Sequence, residues 1–283
     1  MLGPEISFVD QDHVLWQGKP YLYLAGIDYH RMSRHAITVN AVADGARQYG
    51  INPTGSRMTT GNHPLYAQLE KTVADFFDTE SALVCPSGYL SNALLLQAIA
   101  ADYDSFFIDE KAHSSLTDAA HQCDIPSFQF QHLDAQSLDE QLKQQLPAGS
   151  RPLVMTDGVF PARGDVPPLE AYAGVIEAYD GKILVDDAHA MAVLGKTGKG
   201  SWEHCGIDRD RVYQTGTLSK GFGVFGGIIP GSKQLIADIH AKSPAFVGCT
   251  GLALPLAQAA ACSVAHLQTH PYLITDLQAR SLR

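Results

Sequence analysis

The chain has 283 residues, of which 45% are hydrophobic and 18% are charged, and 20 basic against 30 acidic residues give a formal net charge of −10. The hydrophobic content excludes a mostly disordered chain, and the length is enough for one large domain or two modest ones. The excess of acidic residues and the lack of a basic run argue against nucleic-acid binding by bulk charge.

Cysteine use and the N-terminal sequence predict a cytoplasmic protein. The five cysteines are scattered and show no C-x-x-C spacing, which is typical of reduced thiols rather than of a disulfide framework. His204 and Cys205 are neighbours but have no partner pair at metal-ligand spacing, so we expect no metal site. Residues 1–13 carry charges where a signal peptide needs an apolar core, and no run reaches ~18 apolar residues, so we expect no membrane span.

The first 44 residues are predicted to be largely irregular. Their one regular feature is a short hairpin over 15–26 that turns at Gly18-Lys19-Pro20. Residues 1–44 are therefore expected to form an N-terminal segment in front of the main domain.

From residue 64 onward, short apolar strands alternate with amphipathic helices. Helices are predicted from Pro64, which suits a first helical turn, and over 91–101, 138–146, 168–180 and 232–242. Strands are predicted over 81–85, 105–109, 127–131, 152–156, 182–187, 211–217 and 226–230. This alternation predicts an α/β fold with a mostly parallel seven-stranded sheet between helices. Ligands of such sheets bind beyond the carboxyl ends of the strands, so the turns at those ends are the informative ones.

The strongest local signal follows the strand over 211–217. Thr217, Ser219 and Lys220 lead there into a glycine-rich turn. Hydroxyl groups beside a lysine suit a phosphate and a carbonyl in one site, and glycine lets a bulky ligand approach the backbone. A lone motif of this kind is more often a surface lysine in a glycine-rich loop.

A second signal is the run Asp186-Asp187-Ala188-His189 after the most apolar strand. A buried carboxylate is costly unless it meets a positive partner or strong donors, and a protonated pyridine nitrogen would be such a partner. The alternative is that Asp187 caps a helix and that His189 is merely packed.

Two further turns follow predicted strands. Ser87-Gly88-Tyr89 precedes a helix, where free N–H groups and the helix dipole suit a phosphate, although an ordinary turn would look the same. His113 lies just past a strand end, where a flat imidazole could stack on a ring.

The run from Gly221 to Gly226 fits G-x-G-x-x-G. A dinucleotide fingerprint should open a helix and meet an acidic residue ~20 positions later. Here the glycines run into the apolar strand predicted over 226–230. We therefore reject a Rossmann nucleotide site.

A lysine for an imine, an aspartate for a ring nitrogen, a stacking histidine and a phosphate cup together are what pyridoxal 5′-phosphate (PLP) requires. The chain resembles the α-oxoamine synthases of the fold-type I PLP superfamily, among them 8-amino-7-oxononanoate synthase, 2-amino-3-ketobutyrate CoA ligase, 5-aminolevulinate synthase and serine palmitoyltransferase. The resemblance runs from about residue 23 to the C-terminus and is carried by seven ordered motifs: Asp28-Tyr29, 54–70, 86–92, 109–116, 164–169, 185–201 and 216–227.

The resemblance implies a role for each candidate residue at the reacting end of the cofactor. Lys220 matches the family's Schiff-base lysine. Asp186 matches the partner of the pyridine nitrogen, and His189 matches the donor to the ring 3-hydroxyl. His113 matches the residue that stacks on the ring.

At the phosphate end, Gly88 and Tyr89 match the family's backbone cup, and Ser87 of the same turn is a further cofactor-binding candidate. Thr217 and Ser219 match hydroxyls near the phosphate and the lysine. Thr250 resembles a phosphate contact that the family donates from the partner subunit. The resemblance thus implies a homodimer with shared active sites.

The chain departs from the family pattern in two segments and in length. Ile27 stands where asparagine is common, and 161–165 reads Pro-Ala-Arg-Gly-Asp where Ser-Met-Asp-Gly-Asp is common. Relatives carry roughly another hundred residues, a small C-terminal domain whose arginine binds the amino-acid carboxylate. The expected organisation is therefore an N-terminal segment over 1–44, a PLP-binding large domain over 45–270, and over 271–283 the start of a helix toward a missing small domain.

The resemblance implies a PLP-dependent acyltransferase that condenses a small amino acid with an acyl-CoA to give an α-oxoamine. A PLP-dependent aminotransferase or lyase of the same fold is one alternative. A non-catalytic, cofactor-binding relative that has lost the small domain is the other.

Overall fold

The structure is a computed structural model that describes residues 3–10 and 12–281. The strands of the described residues are β1 Ser7–Phe8, β2 His13–Trp16, β3 Lys19–Leu22, β4 Ser81–Cys85, β5 Ser105–Asp109, β6 Ser127–Phe130, β7 Pro152–Asp157, β8 Lys182–Asp186, β9 Val212–Thr217 and β10 Gly227–Gly231. The α-helices are α1 Ala36–Tyr49, α2 Pro64–Phe77, α3 Gly88–Ile99, α4 Ser114–His121, α5 Ala135–Gln145, α6 Leu169–Ile176, α7 Ser201–Cys205, α8 Lys233–Lys242, α9 Pro244–Gly248, α10 Leu254–Thr269 and α11 Tyr272–Ser281.

A seven-stranded sheet in the order β4-β10-β9-β8-β7-β5-β6 lies at the centre of the fold. Strand β10 is antiparallel to both of its neighbours, and the other adjacent pairs are parallel. The predicted mostly parallel seven-stranded sheet is confirmed. Because β4, β5, β7, β8 and β9 run in the same direction, their carboxyl ends meet at one edge of the sheet.

Helices cover both faces of this sheet. Side chains alternate across a strand, so Val84 and Leu83 of β4 enter different cores. The core on the face of Val84 includes residues of α1, α2 and α10, and the core on the face of Leu83 includes residues of α3, α4 and α8. Burial on both faces explains why the strands read as continuous apolar runs.

The N-terminal region is more regular than the sequence predicts. The hairpin turns at Gln17 and Gly18, which both have positive φ, one residue earlier than expected. Helix α1 crosses the predicted boundary after residue 44, so the expectation of an irregular segment up to that point is wrong. Tertiary packing stabilises this helix, since a Cβ at Gly45 would lie 3.0 Å from the Cα of Pro255 in α10.

Helix boundaries and some helices also differ from the prediction. Helix α3 begins at Gly88 rather than at 91, and the helix predicted over 168–180 is α6 followed by a 3₁₀ turn at Glu177–Tyr179. Helices α4 and α10 were not predicted. Helix α10 is apolar on most sides, so it lacks the periodicity by which an amphipathic helix is recognised. No described helix is long and apolar enough to span a membrane.

Candidate active site

A cavity lies at the carboxyl edge of the sheet. Nine of the ten predicted site residues line it: Ser87, Gly88, Tyr89, His113, Asp186, His189, Thr217, Ser219 and Lys220. These residues come from turns after four different strands, and the parallel topology brings the turns together. Among the described residues, no cluster of three or more His, Cys, Asp or Glu side chains suits a metal ion.

The two adjacent aspartates after β8 have different surroundings. Asp186 faces the cavity, and its Oδ2 accepts hydrogen bonds from Asn92 Nδ2 at 2.7 Å and Ser115 Oγ at 3.3 Å. Asp187 is fully buried, and it accepts hydrogen bonds from Ser201 and Gln214. Asp186 is therefore the carboxylate that a ligand in the cavity meets, whereas Asp187 holds the segment that leads into α7.

His189 is held on the cavity wall by Tyr29, whose hydroxyl lies 2.7 Å from His189 Nδ1. Burial lowers the pKa of His189 to about 4, and the nearby positive charge of Lys220 acts in the same direction. Burial raises the pKa of Tyr29. Both groups are thus neutral near pH 7, and a neutral imidazole that accepts from Tyr29 at Nδ1 carries its proton at Nε2.

Lys220 follows β9 and is partly buried in the cavity wall. Burial lowers the pKa of its amine, and the nearby carboxyls of Asp186 and Asp157 act in the opposite direction. A lysine with a lowered pKa has a larger fraction of free amine at neutral pH, which is the nucleophilic form.

His113 is the N-cap of α4. Its Nδ1 accepts from the Ser115 N–H at 3.2 Å and lies 2.8 Å from the Ser115 hydroxyl, while its own backbone N–H donates to Asp157 Oδ2 at 3.0 Å. The ring meets Tyr89 edge-on at 6.2 Å between centroids. These contacts fix the imidazole at the mouth of the cavity.

The other end of the cavity suits an anion. Ser87 caps α3, and the amide N–H groups of Gly88 and Tyr89 have no acceptor within the helix because they begin it. The hydroxyls of Thr217 and Ser219 lie 2.8 Å apart opposite this turn. A Cβ at Gly88 would lie 2.7 Å from Thr217 Cβ, so only glycine allows the turn to approach β9 this closely. Free N–H groups at a helix N-terminus fit a phosphate. The Thr217 hydroxyl beside them also donates to the Gly226 carbonyl at 2.9 Å.

Thr250 is the one predicted site residue outside the cavity. It is exposed and forms an isolated β-bridge with Ser56. Its expected contact with the phosphate in a partner subunit stays a prediction.

Comparison with known proteins identifies the family. The sequence model of "Aminotransferase class I and II" matches residues 20–278. The chain belongs to this family.

Within this family, the similar relatives are α-oxoamine synthases. A putative 8-amino-7-oxononanoate synthase of Rippkaea orientalis is 33% identical over 90% of this chain and 67% of its own length. The 8-amino-7-oxononanoate synthase of Granulibacter bethesdensis is 36% identical over 82% of this chain and 59% of its own length. The structure of Sphingomonas wittichii serine palmitoyltransferase is 27% identical, with a TM-score of 0.87 over 93% of this chain and 66% of that one. The chain thus spans about two thirds of the length of its relatives.

Serine palmitoyltransferase has been solved with PLP. The groups that line the present cavity match three parts of that molecule. The α3 turn and the Thr217 and Ser219 hydroxyls suit the phosphate, the Asp186 carboxylate suits a protonated ring nitrogen, and the Lys220 amine suits the aldehyde. The residues of this family member therefore fit the cofactor.

Sequence reasoning missed three residues of the site. Asn92 donates a hydrogen bond to Asp186, and Tyr29 contacts His189. Asp157 lines the same cavity as Asp186 and His189. Tyr29 and Asn92 lie within two of the family motifs, which imply no role for either residue. Asp157 directly follows the strand predicted over 152–156, and a carboxylate at that position was the signal that could have revealed it.

Proposed function

We propose that the chain is a PLP-dependent acyltransferase that condenses a small amino acid with an acyl-CoA and releases free CoA. The observation that carries the proposal is the convergence of Lys220, Asp186 and His189 on one cavity. The similarity to 8-amino-7-oxononanoate synthases supports acyl transfer over other reactions of the family.

PLP, when bound, supplies an electron sink for charge that develops on the amino-acid α-carbon. Asp186 would accept the N–H of the ring nitrogen and so keep it protonated, and Asn92 and Ser115 hold the carboxylate in place. With Nδ1 accepting from Tyr29, His189 would present Nε2–H as a hydrogen-bond donor to an oxygen on the ring. Lys220 takes a proton from the substrate as general base, because burial has lowered its pKa.

A homodimer is part of this proposal. Thr250 lies away from the cavity of its own chain, and a two-fold interface would bring it to the cavity of a second copy. A cytoplasmic location agrees with scattered cysteines and is likewise proposed.

The resemblance also allows an aminotransferase or lyase, since the same residues support several reactions of the α-carbon. A panel of acyl-CoAs and amino acids separates the alternatives. Release of free thiol only when alanine, glycine or serine is present supports the acyltransferase. Keto-acid formation without thiol release supports the aminotransferase, and PLP binding without either product supports a non-catalytic relative.

A further inference from the structure

A second carboxyl group lies beside Asp186 in the cavity wall. Asp157 is the last residue of β7 and is in register with Asp186 of β8. In-register side chains of neighbouring strands point to the same face of a sheet, and both residues line the cavity. Asp157 is only 5% exposed. None of the steps proposed above uses this buried acid.

The two carboxyl groups differ in their hydrogen bonds. Asp186 accepts from two side chains and from the Ala188 N–H at 3.0 Å. Among the described residues, the Asp157 carboxyl accepts only from the His113 N–H at 3.0 Å. Donors stabilise a buried carboxylate, so Asp157 is the one of the pair that keeps a proton more readily.

Burial and the neighbouring carboxyl groups also favour the protonated form of Asp157. Burial raises the pKa of Asp157 to about 8, and the nearby carboxyls of Asp186 and Asp109 add to the effect, while Lys220 and the His113 N–H oppose it. His189 lines the same cavity, and the adjoining pocket adds Lys111, His132, Arg163 and Asp165. The carboxyl with the raised pKa and the amine with the lowered pKa therefore face one space.

We propose that Asp157 is a proton-holding residue that exchanges its proton with the Lys220 amine. In the exchange the O–H bond of Asp157 breaks, the lone pair of Lys220 Nζ takes the proton, and two neutral groups become a carboxylate and an ammonium group. The inference rests on the proposed function, which makes Lys220 the base. Between steps of the reaction, Asp157 either gives a proton to the Lys220 amine or takes one from it.

The variant Asp157→Asn separates proton holding from a purely structural role. Asparagine keeps an oxygen that accepts from the His113 N–H but has no proton to release. Asp238→Asn removes a carboxylate on α8, outside the cavity, and is the matched control. Should Asp157→Asn fail to fold, Asp157→Ser takes its place, because its hydroxyl can also accept that hydrogen bond.

The first measurement is the free energy of unfolding of the cofactor-free protein at about pH 7 and about pH 9. A pKa that folding raises gives stability that is present at low pH and is lost as the pH rises through the folded value. We expect the wild type and Asp238→Asn to lose stability over this range, and we expect Asp157→Asn to lose roughly half as much or less. An equal loss in all three proteins overturns the claim that Asp157 holds a proton.

The second measurement is the pH dependence of PLP capture by Lys220, followed by borohydride trapping and peptide mapping. The Asp157 carboxylate favours the ammonium form of Lys220, so its removal lowers the lysine pKa. We expect the midpoint of capture to move down by about half to one pH unit in Asp157→Asn, and not in Asp238→Asn. An unchanged midpoint overturns the proton exchange between the two residues.

Neither measurement depends on turnover with an acyl-CoA. If both give the expected shifts while no thiol is released in the substrate panel, the proposed acyl transfer fails and the assignment of Asp157 stands. If thiol is released and the shifts are absent, the assignment of Asp157 fails alone.

Discussion

The Tyr29 hydroxyl hydrogen-bonds to His189 Nδ1 across 160 positions of sequence. The contact ties the segment before α1 to the turn after β8. With the hydroxyl as the donor, Nε2 is the protonated nitrogen of the neutral imidazole. Tyr29 is not among the residues that line the cavity, so we describe it as a positioning residue for His189.

Tyr29→Phe removes this contact while keeping the ring. One neutral hydrogen bond contributes about 1 kcal/mol, so we expect kcat to fall roughly fivefold with little change in PLP content. Steady-state kinetics together with the absorbance of bound cofactor measure both quantities. Tyr272→Phe, at an exposed tyrosine on α11, is the control and should behave like the wild type. Equal kcat in the two variants would show that Tyr29 does not orient His189.

Asparagine substitutions distinguish the two aspartates after β8. Asp186→Asn should abolish turnover and keep the fold, because it removes the charge that holds the ring-nitrogen proton. Asp187→Asn should destabilise the fold by about 1–3 kcal/mol, because an amide cannot accept all three hydrogen bonds from Ser201 and Gln214. Denaturant unfolding and product assays on both variants check this. A larger loss of turnover in Asp187→Asn, at unchanged stability, would mean that the two roles are reversed.

Gly88→Ala tests the phosphate end of the cavity. The added Cβ would lie 2.7 Å from Thr217 Cβ, so the turn must move away from β9 and widen the anion site. We expect PLP affinity to drop about tenfold, a loss of roughly 1.4 kcal/mol. Gly174→Ala in α6 is the matched control, since a Cβ there meets nothing within 4 Å. Fluorescence titration with PLP measures the affinity of both variants. Wild-type affinity in Gly88→Ala would show that the α3 turn does not contact the phosphate.

The sheet and most of the cavity could be predicted from sequence because their signals are local. Each β-strand is a short apolar run, and each polar residue that follows a strand belongs to a recognisable turn. The place of Asp157 directly after a predicted strand could be recognised from the sequence. Its pairing with Asp186 could not, since that depends on the register of β7 against β8. Tyr29 depends on a contact between distant segments, and α1 depends on close packing against α10 at Gly45.

The central claim is that the cavity at the carboxyl edge of the sheet holds PLP, with Lys220 as the residue that bonds to it. Incubation with PLP, reduction by borohydride and peptide mapping test this most directly, with Lys220→Ala and the exposed Lys71→Ala as paired variants. We predict one pyridoxyl label, on Lys220, that persists in Lys71→Ala and disappears in Lys220→Ala. A label on another lysine, or equal labelling of the two variants, would contradict the account.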